Sequence, residues 1–179
     1  LFLHRQLSSS TPIAEWGLFR TRSYAAATTY IMLNNLVMYT TLLSIPFFVK
    51  EVQNKGDVAT GSLLAAMSLL MVFVAPLSGR ISDRLGRRIP AVAGSLVVLV
   101  AVLLILVGLD RNVSYSYLAA SLAVLGLGVG LGFGAASTAA IEAAPRELAG
   151  AAAGTSSMMR YLGSIIGVGI LGAVLSSGE

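Results

Sequence analysis

The chain has 179 residues, 56% of them hydrophobic and 11% charged, against about 45–50% and 25% in water-soluble domains, which excludes an ordinary soluble enzyme or signalling domain. Without cysteine there are no disulfides and no thiolate metal sites, and the lone histidine, His4, argues against a transition-metal centre, so no metal or cofactor is expected. The net charge of +4 is explained by basic residues gathered in short loops on one side of a bilayer rather than by a nucleic-acid partner.

The first residue is leucine, no signal peptide precedes the first apolar run, and Ser176-Ser177-Gly178-Glu179 follow the last one directly, so the chain reads as a fragment. Residues 11–20 suit a short helix with Thr11 as N-cap, Pro12 at the first position and Glu15 in the first turn. Trp16, Leu18 and Phe19 beside Arg20 and Arg22 would then lie along the lipid headgroups. A disordered linker is the alternative, and in either case residues 1–23 are assigned to a cytoplasmic linker and 24–179 to a transmembrane domain.

A bilayer core of about 30 Å takes roughly 20 apolar residues in helix, because only internally bonded backbone is tolerated there. Five segments meet that length, near 24–49, 58–78, 89–109, 114–141 and 148–175, giving an all-α polytopic bundle. In the first span, Asn34 and Thr41 share one face and Thr28 and Asn35 another. Amides at that depth do not face lipid, so they either hydrogen-bond between helices or line a polar cavity. Met67 and Met71, one turn apart in the second span, read as packing residues.

Between the second and third spans lies Gly79-Arg80-Ile81-Ser82-Asp83-Arg84-Leu85-Gly86-Arg87-Arg88. Gly79 suits close approach of a helix end, Asp83 accepts from backbone donors or guanidinium groups, Gly86 permits a positive φ, and Arg84, Arg87 and Arg88 reach phosphates or carboxylates. In the fourth span Gly126, Gly128, Gly130, Gly132 and Gly134 form two interleaved small-residue rows, and Gly150 with Gly154 and Gly163 with Gly167 do the same in the fifth. Such faces serve tight packing, sliding between helices, or both.

Arg160 is the one charge inside a span. It either snorkels to phosphates or faces the bundle interior. Tyr24, Tyr115 and Tyr117, near span ends, read as interface anchors. Every acid falls in a loop or at a helix end, Glu142 being the nearest to a coupling group, with Arg146 or Arg84 as its simplest partner. Eight basic residues (Arg5, Arg20, Arg22, Arg80, Arg84, Arg87, Arg88, Arg146) fall on the N-terminal side and three (Lys50, Lys55, Arg111) on the other. The N-terminal side is therefore placed in the cytoplasm and the chain end outside.

The pattern Gly-x-Ile-Ser-Asp-Arg-x-Gly-Arg-Arg resembles the signature loop of the major facilitator superfamily. Pro12-Ile13 with Leu18-Phe19-Arg20, Pro46-Phe47-Phe48, and the run from Ala149-Gly150-Ala151-Ala152-Ala153-Gly154 to Arg160-Tyr161-Leu162-Gly163 are similar to the fourteen-helix multidrug/proton antiporters of that superfamily. Lys50 stands where that family often has glutamine, and Met67 where a proline is common.

The resemblance implies the second half of such a transporter, from its first helix to the one before its last, completed by a companion N-terminal half. It implies export of hydrophobic, often cationic, compounds in exchange for protons, from the cytoplasmic membrane of a bacterium. Asp83 would then belong to a cytoplasmic latch completed by the arginines, and the coupling acid would lie in the companion half. A facilitator for sugars or organic acids and a non-transporting membrane subunit are the rival readings. An enzyme is not expected, since no nucleophile-base pair or phosphate-binding loop is present.

Overall fold

A computed structural model describes residues 16–108, 110 and 113–176. The N-cap at Thr11 and residues 1–15 lie outside the described residues, so the segment before the first span is seen only as a single 3-10 turn, Trp16–Arg20, with Leu18 buried. Five helices follow: α1 (Arg22–Phe47), α2 (Asp57–Leu85), α3 (Arg88–Gly108), α4 (Tyr115–Glu142) and α5 (Ala149–Ser176). Each is long and apolar enough to cross a membrane, and the described residues contain no strand.

Local chemistry explains the helix ends. Pro46 has no N–H to give to the ladder, and after it the backbone slips into a π turn, Phe48–Val52, closed by Gln53 N–H donating to the Phe48 carbonyl at 3.2 Å. Asn54 then turns the chain with φ of 52°, a conformation asparagine tolerates. On the same side Gln53 Nε2 donates to the Val113 carbonyl at 3.1 Å, tying the two loops together.

The second connection is much shorter than the expected ten-residue loop. Helix α2 runs on through Leu85, and only Gly86 and Arg87 separate it from α3. Gly86 adopts φ of 84°, as the positive-φ role requires, and its N–H caps the Ser82 carbonyl at 3.0 Å. Gly79 sits inside α2, and among the described residues nothing lies within 4 Å of where a β-carbon would stand.

Helix α4 is the most buried of the five and forms the axis of the bundle. At 3.6 residues per turn, positions four apart lie nearly in line while positions two apart point to opposite sides. The two glycine rows therefore face different neighbours. Gly126 and Gly130 lie against the backbone of α2 at Met67 and Met71, and Gly128 and Gly132 lie against α3 at Gly94 and Val98, with Tyr30 of α1 over Gly132. Helix α5 leans mainly on α1, where Gly163 meets Met32 and Gly167 meets Leu36 and Thr40. Gly134, Gly150 and Gly154 depart from the expected pattern, having no neighbour among the described residues within 4 Å of a β-carbon position.

The end-of-span tyrosines are also corrected, because they bond between helices. Tyr24 is fully buried and its hydroxyl donates to the Ala152 carbonyl of α5 at 3.0 Å. Tyr115 pairs with Ser62 of α2 at 2.5 Å, and Tyr117 donates to the Leu104 carbonyl of α3 at 2.9 Å. Large apolar side chains point outward instead, as Val92, Leu96, Leu99, Leu103 and Leu106 do along α3.

The glycine contacts set a differential test. Gly126→Ala puts a methyl group into the Met67 backbone and is expected to destabilise the bundle by about 1–3 kcal/mol, as overpacking does. Gly134→Ala, two turns along, should leave stability near that of the parent. Thermal unfolding of the two variants in detergent makes the comparison.

Candidate functional site

At the basic end of the bundle, the turn after α2 carries a charge clamp. Arg87 Nη1 donates to Asp83 Oδ1 at 2.9 Å, one turn back on α2. The same guanidinium holds the last residue of α4 in a fork, Nη2 to Glu142 Oε1 at 2.8 Å and Nε to Glu142 Oε2 at 3.2 Å. Glu142 therefore pairs with Arg87 rather than with Arg146 or Arg84. These hydrogen bonds, Glu142 first and Asp83 second, hold the Arg87 pKa above its usual range, so it is charged at any working pH.

Asp83 remains 70% exposed and so stays accessible to a further partner. Arg84 and Arg88 are exposed, as is Arg80, and none forms an ion pair among the described residues. Arg22, Arg87 and Arg88 also rim a cleft of about 730 Å³ between the first turns of α1 and α3.

Deeper in the bundle, α1, α2, α4 and α5 line a second candidate site, an open cleft of about 370 Å³. Its polar lining is Asn34, Asn35, Tyr39, Arg160, Tyr161 and Ser164, and its apolar lining is Met38, Met71, Val129 and Phe133. Helical spacing produces this set: Tyr39 is one turn beyond Asn35, and Ser164 one turn beyond Arg160. Tyr39, Met38 and Ser164 were not singled out from sequence, although the four-residue spacing was there to find them.

Neither asparagine bonds across helices. Asn35 Nδ2 donates to the Ile31 carbonyl of its own helix at 2.9 Å, and Thr28 likewise donates to Tyr24. The Asn34 amide makes no hydrogen bond among the described residues, so its donors and acceptor are available to the cavity. Met67 is core, 3% exposed, whereas Met71 is part of the cavity wall.

Arg160 lies eleven residues into α5, about 17 Å along an axis that rises 1.5 Å per residue. An arginine at the centre of a bilayer costs at least about 2.5–3.5 kcal/mol on insertion scales. Its guanidinium stands 5.2 Å from the Tyr161 ring, a contact that offsets about 0.5–1 kcal/mol, and among the described residues no carboxylate pairs with it. Arg160 and Phe133 also border a smaller cavity of about 200 Å³ lined by Ser137, Ser156 and Ser157, with Ile141, next to the last residue of α4, also on its wall. Among the described residues no group of histidines or acids is arranged to hold a metal ion.

The family model of the Major Facilitator Superfamily matches residues 4–168. Multidrug resistance protein Stp of Mycobacterium tuberculosis is 33% identical over 99% of this chain and 33% of its own length. The MFS-type transporter YwoD of Bacillus subtilis is 30% identical over 96% of this chain and 38% of its own. The tetracenomycin C resistance and export protein of Streptomyces glaucescens is 26% identical over 98% and 32% respectively. The chain thus spans about a third of the length of the curated relatives it matches. With five membrane-length helices, the signature turn in place and nearly the whole chain under one family model, this integral membrane protein belongs to the major facilitator superfamily.

Proposed function

We propose that this chain is the greater part of the second half of an exporter that moves hydrophobic compounds out of a bacterial cell in exchange for protons. The supporting observation is the cleft between α1, α2, α4 and α5, whose volume of about 370 Å³ falls within the roughly 300–1,000 Å³ of small-molecule sites, and whose lining sets polar groups beside Met38, Met71, Val129 and Phe133. A multidrug resistance protein and a tetracenomycin C resistance and export protein among the relatives support the substrate class. A companion half closes the site, and rocking of one half against the other exposes it to each side in turn.

Two features of this half fit that cycle. All described acids lie in loops or at helix ends, so the carboxylate that carries the proton belongs to the companion half. The one charge in this wall is positive, so a cationic compound seats its charge against the companion half. At the cytoplasmic end Asp83 acts as a latch: Arg87 takes one of its oxygens and leaves the other for a donor across the gap. A few charge-assisted hydrogen bonds bias such an equilibrium without locking it.

In the full-length parent, Asp83→Asn is expected to abolish or strongly reduce drug export while membrane insertion stays normal; unchanged resistance and flux would count against the latch. Glu142→Gln should loosen the turn, read as faster proteolysis between α2 and α3 in inside-out vesicles, and adding Arg87→Gln, which also removes the pair with Asp83, should loosen it further. Orientation is checked at Leu85, which is 61% exposed where Ser82 is 4%. A thiol introduced by Leu85→Cys should react with an impermeant reagent only from the cytoplasmic side.

A further inference from the structure

From the geometry around Arg160 we infer that the central cavity contains an oxyanion subsite, in which this guanidinium pairs with a carboxylate-class group of the transported molecule. The inference rests on the exporter reading and narrows its substrate class. Three observations carry it.

The first is the missing counter-ion. Arg160 sits about 17 Å along the membrane-length helix α5 with only the Tyr161 ring against it, and every described acid is elsewhere, Glu142 being held by Arg87 at the bundle's end. A charge kept at that depth without a partner marks a place where one arrives. The second is the company it keeps. The Asn34 amide and the Tyr39 hydroxyl, both lining the same cavity, have no hydrogen-bond partner among the described residues. A guanidinium fork, an amide N–H and a phenol O–H are the donors a carboxylate binds, while the aliphatic and thioether walls from Met38, Met71 and Val129 take the apolar remainder of the molecule.

The third is the approach. Arg160 and Phe133 stand where the central cavity meets the smaller serine-lined one, and the Ser137 and Ser157 hydroxyls of that slot are likewise free of partners among the described residues. An anion entering from the cytoplasmic end meets hydroxyl donors before it reaches the arginine. A cation entering the same way meets an unneutralised positive charge. The wall therefore discriminates by sign of charge, in favour of amphiphilic acids.

The test uses the full-length parent in lipid nanodiscs and a matched pair of fluorescent probes, pyrenebutyric acid and its methyl ester, which differ in the one group the subsite reads. The parent is expected to bind the acid more tightly than the ester. Arg160→Gln should weaken the acid about tenfold or more, the scale of one lost charge-assisted hydrogen bond, and leave the ester within twofold. Arg160→Lys should recover part of the loss, keeping charge but not the fork.

Equal binding of acid and ester by the parent, or no binding of the acid, overturns the inference. So does a parallel loss of both probes in Arg160→Gln, which would assign the counter-ion to a carboxylate of the companion half. Gel filtration and thermal unfolding of each variant separate these outcomes from misfolding. Drug flux in proteoliposomes, measured independently of the probes, decides the exporter reading on its own.

Discussion

Helices in hydrocarbon gain little by hiding apolar side chains from one another, because the lipid is as apolar as they are. What remains is close approach of backbones, and in this bundle it is supplied at α4. Gly126 and Gly130 bring α2 onto one side, Gly128 and Gly132 bring α3 onto the other, and a β-carbon at any of the four would strike a neighbour. The same device recurs between α5 and α1 at Gly163 and Gly167. Large apolar side chains are thereby released to the outside, and the polar minority is left to settle in the spaces between helices.

The placement of charge follows from that scaffold. Where α2, α3 and α4 converge at the basic end, Arg87 joins the turn to the end of α4 through Glu142 and to its own helix through Asp83. The clamp is solvent-exposed at the bundle's end, where ion pairs are weak. Arg160 is the opposite case. It stands within a membrane-length helix, beside the Tyr161 ring and on the wall of the cleft.

Helix number and approximate span were legible because a bilayer imposes a minimum apolar length. The segment ends were less so. Residues 79–85 read as a loop on account of their charge and glycine, yet α2 continues through them, since a helix that has left the hydrocarbon can carry charges at no cost. The double glycine row was legible as spacing, but which glycines found a neighbour was not: Gly134, Gly150 and Gly154 obey the same pattern and have no neighbour among the described residues within 4 Å of a β-carbon position. Tyr24, Tyr115 and Tyr117 carried the composition of interface anchors and proved to be ties between helices.

By itself the sequence determined that the chain crosses a bilayer five times, that its basic residues crowd one side, and that its α2–α3 connection carries the superfamily's signature, because span length, charge asymmetry and local motifs are properties of neighbours along the chain. Only the tertiary structure decided that Arg87 meets Glu142, 55 positions away, and that Asn34, Tyr39 and Arg160 share one cavity. Those pairings depend on how closely α1, α4 and α5 approach and at what rotation, which helical periodicity within one segment does not specify.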